Sequence, residues 1–269
     1  MTVAVAQLGV LLGDAAGNAR RAATCLEEAA TEGAEFVVFP ECCLTGYVVD
    51  DRAEAAKMAL DAGGPELGVI RDACGRLGVH TVIGYLERDG ESVFNTVALY
   101  GPEGLIGSYR KRHLPPLGAD RFIDASDDVE SAVFGTAVGR IGIAICYEIR
   151  FPEVMRTLAL AGAEMIVLPT NWPVQSTMLA DHFTRVRAAE NLVYLLVANR
   201  GDSERGTDFL GNSQIVDPFG QVLAKADRGE ALLLADVDLS RARDKTIRFP
   251  TSDLELSPWR DRRPAGYRI

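Results

Sequence analysis

Three reactive side chains each stand at the end of an apolar run. Glu41 follows Glu35-Phe36-Val37-Val38-Phe39-Pro40, Lys111 follows the run that closes on Tyr109-Arg110, and Cys146 follows Arg140-Ile141-Gly142-Ile143-Ala144-Ile145. Short runs of this kind are strand candidates, and α/β proteins place functional residues just beyond strand ends. A carboxylate, an ammonium and a thiol gathered there would supply what thiol-dependent cleavage of an amide needs. Those needs are a nucleophile, a base for its proton, an acid for the leaving amine and fixed positive charge at the oxyanion. Taken singly the residues are ordinary: a lone buried cysteine is usually an inert small hydrophobe, and a lone lysine is usually solvated.

The elements around them must therefore bring them together. A strand is expected over residues 3–8, a helix over 18–32 with Asn18 as its N-cap, and a strand over 35–39 that Pro40 ends. A helix over 66–77 precedes strands over 81–86, 93–100 and 105–109, joined by the turn signals Asp89-Gly90 and Gly101-Pro102. The strand over 140–145 runs straight into Cys146, and Pro152 opens a helical pattern through residue 161. The second half predicts a strand over 165–169, a helix over 179–191 and a strand over 193–199. Shorter strands follow over 213–216, 222–226 and 232–237. Strand and helix alternate without a low-complexity linker, so residues 1–269 are expected to form one α/β domain with a weak internal pseudo-repeat.

Bulk properties narrow the function classes. The formal net charge of −10 repels a phosphate backbone, so no nucleic-acid partner is expected. The one basic run, Arg110-Lys111-Arg112-His113, reads either as a local anion patch or as an exposed charged loop. Five cysteines, Cys25, Cys42, Cys43, Cys74 and Cys146, form no CxxC pair and cannot all close into intramolecular bridges. The amino terminus has no signal-peptide pattern, and no apolar run approaches the roughly 18–20 residues needed to span a bilayer. A soluble cytoplasmic protein without membrane partners is expected. His80, His113 and His182 are scattered without an HExxH pattern, so no metal is expected. Gly211-Asn212-Ser213-Gln214-Ile215 lacks the closing glycine of a serine-hydrolase elbow, and no nucleotide-binding glycine pattern occurs. No cofactor is implied.

In order along the chain stand Phe39-Pro40-Glu41 with Leu44-Thr45-Gly46-Tyr47, then Tyr109-Arg110-Lys111-Arg112-His113-Leu114-Pro115, then Gly142-Ile143-Ala144-Ile145-Cys146-Tyr147-Glu148-Ile149-Arg150-Phe151-Pro152-Glu153. These resemble the three signature segments of the nitrilase, or carbon–nitrogen hydrolase, superfamily. The resemblance continues through Leu168-Pro169-Thr170-Asn171-Trp172-Pro173, Arg187-Ala188-Ala189-Glu190-Asn191, Phe209-Leu210-Gly211-Asn212-Ser213 and Asp217-Pro218-Phe219-Gly220.

The resemblance implies a four-layer α-β-β-α sandwich of the nitrilase type. It also implies a catalytic glutamate, lysine and cysteine, carried here by Glu41, Lys111 and Cys146. Glu41 would exchange the thiol proton, Lys111 would stabilise thiolate and oxyanion, and the Tyr147 backbone N–H would be the second oxyanion donor. The family usually carries a second glutamate between lysine and cysteine; here Asp120 lies in that neighbourhood, one methylene shorter. Asp120 is read either as its replacement or as a turn residue, with Glu130 as fallback. Tyr47, Asn171 and Trp172 match family positions near the substrate pocket, with ordinary core packing as the other reading. Arg150 and Arg187 could grip a substrate carboxylate, although Arg187 and Glu190 at helical spacing suit packing or a subunit interface.

The branch implied is an amidase acting on a small aliphatic or ω-amino-acid amide, with N-carbamoyl amides or nitriles as alternatives. A catalytically silent binding protein is the alternative of another class. At least a homodimer is implied, with the tail, about residues 250–269, at the subunit interface.

Overall fold

Runs of Val, Ile, Leu and Phe too short for core helices form the centres of two sheets, because buried parallel strands present apolar residues on both faces. The computed structural model describes residues 1–128, 132–249 and 251–267. In the first sheet the strands stand in the order Ala231–Asp236, Thr2–Gln7, Ala34–Val38, His80–Asp89, Ser92–Gly101 and Gly104–Arg110, with Leu60–Asp61 also paired to His80–Asp89. The second runs Val222–Lys225, Gln214–Val216, Tyr194–Ala198, Met165–Pro169, Gly139–Ile143 and Val133–Thr136. Each has three parallel strands at its centre and antiparallel pairs outside them, apart from the short parallel pairing of Leu60–Asp61 in the first.

Alternation along the strands sets the layers, since successive side chains point to opposite faces. Val3, Val5, Phe36 and Val38 share one apolar cluster with Ile141, Ile143 and Val167 of the second sheet. Ala4, Ala6, Val37 and Phe39 pack instead with Leu26 and Ala29 of the helix Ala15–Thr31 and with Leu67 and Ile70 of the helix Pro65–Leu77. On the far side the helices Pro152–Leu160 and Thr184–Asn191 cover the second sheet through Met155, Leu158 and Ala188. The result is the four-layer α-β-β-α sandwich. Among the described residues no helix is long and apolar enough to cross a membrane.

Two expectations change. The first helix is capped by Asp14, whose side chain accepts from the Gly17 N–H, and it starts at Ala15 rather than at Asn18. Asn18 lies inside the helix, where its amide exchanges hydrogen bonds with the Leu11 backbone at 3.0 and 2.7 Å and donates to Leu44 O at 3.0 Å. An asparagine is thus spent on tying a loop rather than on capping. The helix expected over 179–191 is a π-helical turn, Leu179–Phe183, followed by the α-helix Thr184–Asn191. The short helix Arg52–Met58 and the hairpin Ser203–Glu204 with Thr207–Asp208 were not anticipated from sequence.

The candidate residues follow strand ends. Glu41 comes after Ala34–Val38, Lys111 after Gly104–Arg110, Cys146 after Gly139–Ile143, and Thr170 with Asn171 after Met165–Pro169. The antiparallel meander also sets Lys111 beside Asn95, with Lys111 N donating to Asn95 O at 2.8 Å.

Candidate active site

The loop after Pro40 lies against the strand His80–Asp89, with Phe39 N donating to Val82 O and Leu44 N to Gly84 O. Gly84 permits that approach: a Cβ there would stand 2.5 Å from Cys42 N and 2.9 Å from Glu41 Cα. The loop buries Glu41 completely. Its Oε1 accepts from Lys111 Nζ at 2.6 Å and from Asn95 Nδ2 at 2.7 Å, while Oε2 has no hydrogen-bond partner.

Lys111 is equally buried and donates a second bond, at 2.5 Å, to Asp120 Oδ2. Asp120 sits in the 3-10 turn Gly118–Arg121, which is held by Ala119 N donating to Tyr47 O at 2.7 Å. The Tyr47 hydroxyl reaches Asp120 Oδ2 at 2.9 Å, within equal reach of Leu117 O, and Asn95 Nδ2 donates to Asp120 Oδ1 at 2.9 Å. Two carboxylates therefore share one buried ammonium. Burial opposes the charge on Lys111, but Asp120 and then Glu41 outweigh it and hold the ammonium well above its ordinary pKa. Burial also raises Glu41, against the pull of Lys111.

Cys146 occupies the junction between extended Ile145 and the 3-10 turn Cys146–Arg150, with φ of 50°. A non-glycine residue in the left-handed region costs about 1–2 kcal/mol and persists only where its surroundings over-determine it. Burial first, and the Glu41 charge second, push the thiol up to about 12, while Lys111, the Thr170 hydroxyl and the Asn171 N–H act in the opposite sense. The resting sulfur is a thiol, so attack requires a base.

Asn171 donates through Nδ2 to Glu41 O at 3.0 Å, and its Oδ1 has no partner. With Tyr47, Leu117, Gln175, Asp208 and Phe209 it lines a cavity of about 350 Å³. Trp172 is buried in the larger core cluster; its backbone N–H donates to Asn199 Oδ1 at 2.9 Å, and its indole N–H has no hydrogen-bond partner. Tyr47 thus lines the cavity and also fixes Asp120, a combination not foreseen. Tyr147 directly follows Cys146, at the start of a turn whose first N–H groups lack an intrahelical partner by geometry.

Neither arginine considered for a substrate carboxylate lines the cavity. Arg187 is committed to Ile149 O, Arg150 O and Glu190, and Arg150 is exposed. Glu130 lies outside the described residues. The basic run is neither an anion patch nor an exposed loop: Arg110 pairs with Glu87 and Asp89, Lys111 is buried, and His113 stacks on Phe151. Among the described residues no group of three His, Cys, Asp or Glu side chains could hold a metal ion.

Sequence reasoning missed Asn95 and Glu204. Asn95 bridges Glu41 and Asp120; its signal was an amide inside the apolar strand Val93-Phe94-Asn95-Thr96-Val97, where a polar side chain requires buried partners. The buried Glu204 carboxylate accepts from Tyr47 N at 2.9 Å, Val48 N at 2.6 Å and Arg200 Nη1 at 2.8 Å. No local pattern marks a partner 157 residues away.

Comparison with known proteins places these observations. Residues 2–246 match the carbon-nitrogen hydrolase family. The chain is 36% identical over 232 residues to a nitrilase of Pyrococcus abyssi, covering 86% of this chain and 87% of that one. It is 31% identical over 247 residues to an omega-amidase of Homo sapiens, covering 87% of each. It is 30% identical over 257 residues to a 2-oxoglutaramate amidase of Bacillus subtilis, covering 94% and 96%. The fold matches that of an amidase from Nesterenkonia sp. with a TM-score of 0.82 at 24% identity, over 91% of this chain and 92% of that one. A variant of that amidase carries the acetamide moiety of fluoroacetamide at its active site cysteine.

Proposed function

Because the chain belongs to the carbon–nitrogen hydrolase family, we propose that it hydrolyses a short carboxamide to the carboxylic acid and ammonia through a Cys146 thioester. One observation carries this reading. Lys111 spends two of its three N–H donors on Glu41 and Asp120, leaving the third, while Glu41 spends Oε1 and leaves Oε2. A free donor and a free acceptor beside a buried thiol are what an acyl-transfer site needs.

Glu41 Oε2 takes the proton as Cys146 Sγ bonds to the amide carbon, and the oxyanion is held by the remaining Lys111 N–H and the Tyr147 N–H. The C–N bond breaks as Glu41 returns the proton to nitrogen, and ammonia leaves. Water then attacks the thioester, Glu41 takes its proton, and C–S cleavage returns that proton to sulfur. Asp120 and Asn95 hold Lys111 and Glu41 in register throughout.

The cavity adjoins the site through Tyr47, which bonds Asp120, and Asn171, which bonds Glu41 O, and we read it as the place of the acyl group. Among the described residues Asp208 is the one charged side chain lining it, and it is paired with Arg228 at 2.9 Å. A short uncharged acyl group fits that lining better than one ending in a carboxylate. The relatives' names, omega-amidase and nitrilase, keep ω-carboxyl amides, ω-amino-acid amides and nitriles on the test panel. The alternative of a catalytically silent binder rested on the Asp120 departure; the 2.5 Å contact of Asp120 with Lys111 supports the hydrolase reading instead. The test is ammonia release from short amides, carbamoyl amino acids and nitriles, with intact-mass detection of an acyl adduct on Cys146. We expect turnover of short amides and a transient adduct; no turnover and no adduct across the panel would overturn the proposal.

A further inference from the structure

Glu148 is fully buried two residues after the nucleophile, yet the reaction above gives it no part. Its Oε1 accepts from the Tyr109 hydroxyl at 2.7 Å and from Arg112 N at 3.2 Å, and lies 3.1 Å from His113 Nδ1. Its Oε2 accepts from Ile145 N at 2.8 Å. The first three partners bracket Lys111 in sequence, and the fourth precedes Cys146. One carboxylate therefore joins the segment that carries the ammonium to the turn that carries the thiol.

We propose that Glu148 is a positioning residue that fixes the separation of Lys111 and Cys146 and holds Cys146 in its left-handed conformation. The turn needs such a tie. Cys146 at φ 50° is strained for a side-chain-bearing residue, and Glu148 locks it twice, through Oε2 to Ile145 N and through its own N–H to Ile145 O at 3.0 Å. A carboxylate suits this task because all its lone pairs accept, and Ile145 and Arg112 offer backbone N–H donors to opposite oxygens. An amide cannot replace it: whichever end of a glutamine carries the NH2 group would face a backbone N–H. The inference rests on the roles proposed for Lys111 and Cys146, so its test has a readout that needs no substrate.

That test measures Cys146 alkylation by iodoacetamide against pH in the full-length wild type, Glu148→Gln and Tyr109→Phe, with peptide mass mapping and kcat on the best amide. In Glu148→Gln we expect alkylation near neutral pH to fall about tenfold or more, as a misplacement of about 1 Å would do. Its profile should move to higher pH because the thiolate loses the nearby ammonium, and kcat should fall with KM little changed. Tyr109→Phe, which removes one hydroxyl from the tie and keeps the carboxylate, should move in the same direction by less; it decides the matter if Glu148→Gln does not fold. Wild-type alkylation profiles and kcat in the folded variants, with only Tm lowered, would overturn the proposal. Altered profiles alongside no amide turnover in the wild type would instead sink the proposed function and leave the tie intact.

Discussion

Asp120 Oδ2 stands 2.5 Å from Lys111 Nζ, so the shorter acid reaches the lysine. The turn Gly118–Arg121 carries it inward, and Tyr47 secures it there through backbone and hydroxyl. Asp120→Asn removes the charge at nearly constant shape, and kcat should fall about 10²-fold, as for other positioned acid–base groups. Stability should change little, because Glu41 and Lys111 remain as a one-to-one pair. A wild-type kcat in steady-state assays of Asp120→Asn would reduce Asp120 to a turn residue.

Lys111→Met should behave differently. It leaves two buried carboxylates without their cation, and breaking a buried pair in this way costs about 3–5 kcal/mol. Urea unfolding should separate the two variants clearly, with Lys111→Met the less stable, and kcat should be lost. Equal unfolding midpoints would contradict the shared-ammonium picture.

The pH profile follows from Glu41. As a base it must be ionised, and burial lifts its pKa above the usual carboxylate range, so kcat/KM should fall on the acid side at a higher pH than an exposed glutamate would give. The Asn95 amide favours the charged form. Asn95→Leu should therefore move the acid limb to still higher pH and lower kcat. Lys111, held well above its ordinary pKa, should cause no alkaline loss below roughly pH 10. An acid limb in Asn95→Leu at or below that of the wild type would refute this assignment.

Cys146→Ala should abolish turnover and leave the fold intact, whereas Cys43→Ala should keep activity. Cys43 packs in the helix-facing core, whereas the Cys146 thiol has the Glu41 and Lys111 charges acting on it. Peptide mapping after brief alkylation should find Cys146 labelled ahead of the other four cysteines. Retained turnover in Cys146→Ala would relocate the nucleophile.

We propose, as the resemblance implies, that the protein assembles at least as a homodimer through the helices Pro152–Leu160 and Thr184–Asn191 and the tail. The tail is tethered to its own subunit at Trp259, whose ring faces the cations of Arg156 and Lys245 at 4.8 and 4.9 Å. Light scattering at micromolar concentration should give at least twice the chain mass. A clean monomer would end this proposal.

The sequence by itself determined the alternation of strand and helix and the resemblance to the family, because apolar periodicity and short ordered motifs are local properties; the sandwich was implied by that resemblance. It also picked out Glu41, Lys111 and Cys146 as residues following strands. The tertiary structure alone decided how they are used. Asp120 became a partner of Lys111 only when a turn folded against Tyr47, and Asn95 joined two carboxylates from a strand where it looked like an interruption. Asn18 left its expected cap because Leu11 and Leu44 offered buried backbone partners. Arg187, read as a candidate carboxylate grip, was taken up by carbonyls of the nucleophile turn. In each case the choice turned on hydrogen-bond and charge partners that no local pattern specifies, from 7 to 73 residues away in the chain. A buried polar group must take whichever partner the fold places beside it, and sequence spacing carries no record of that placement.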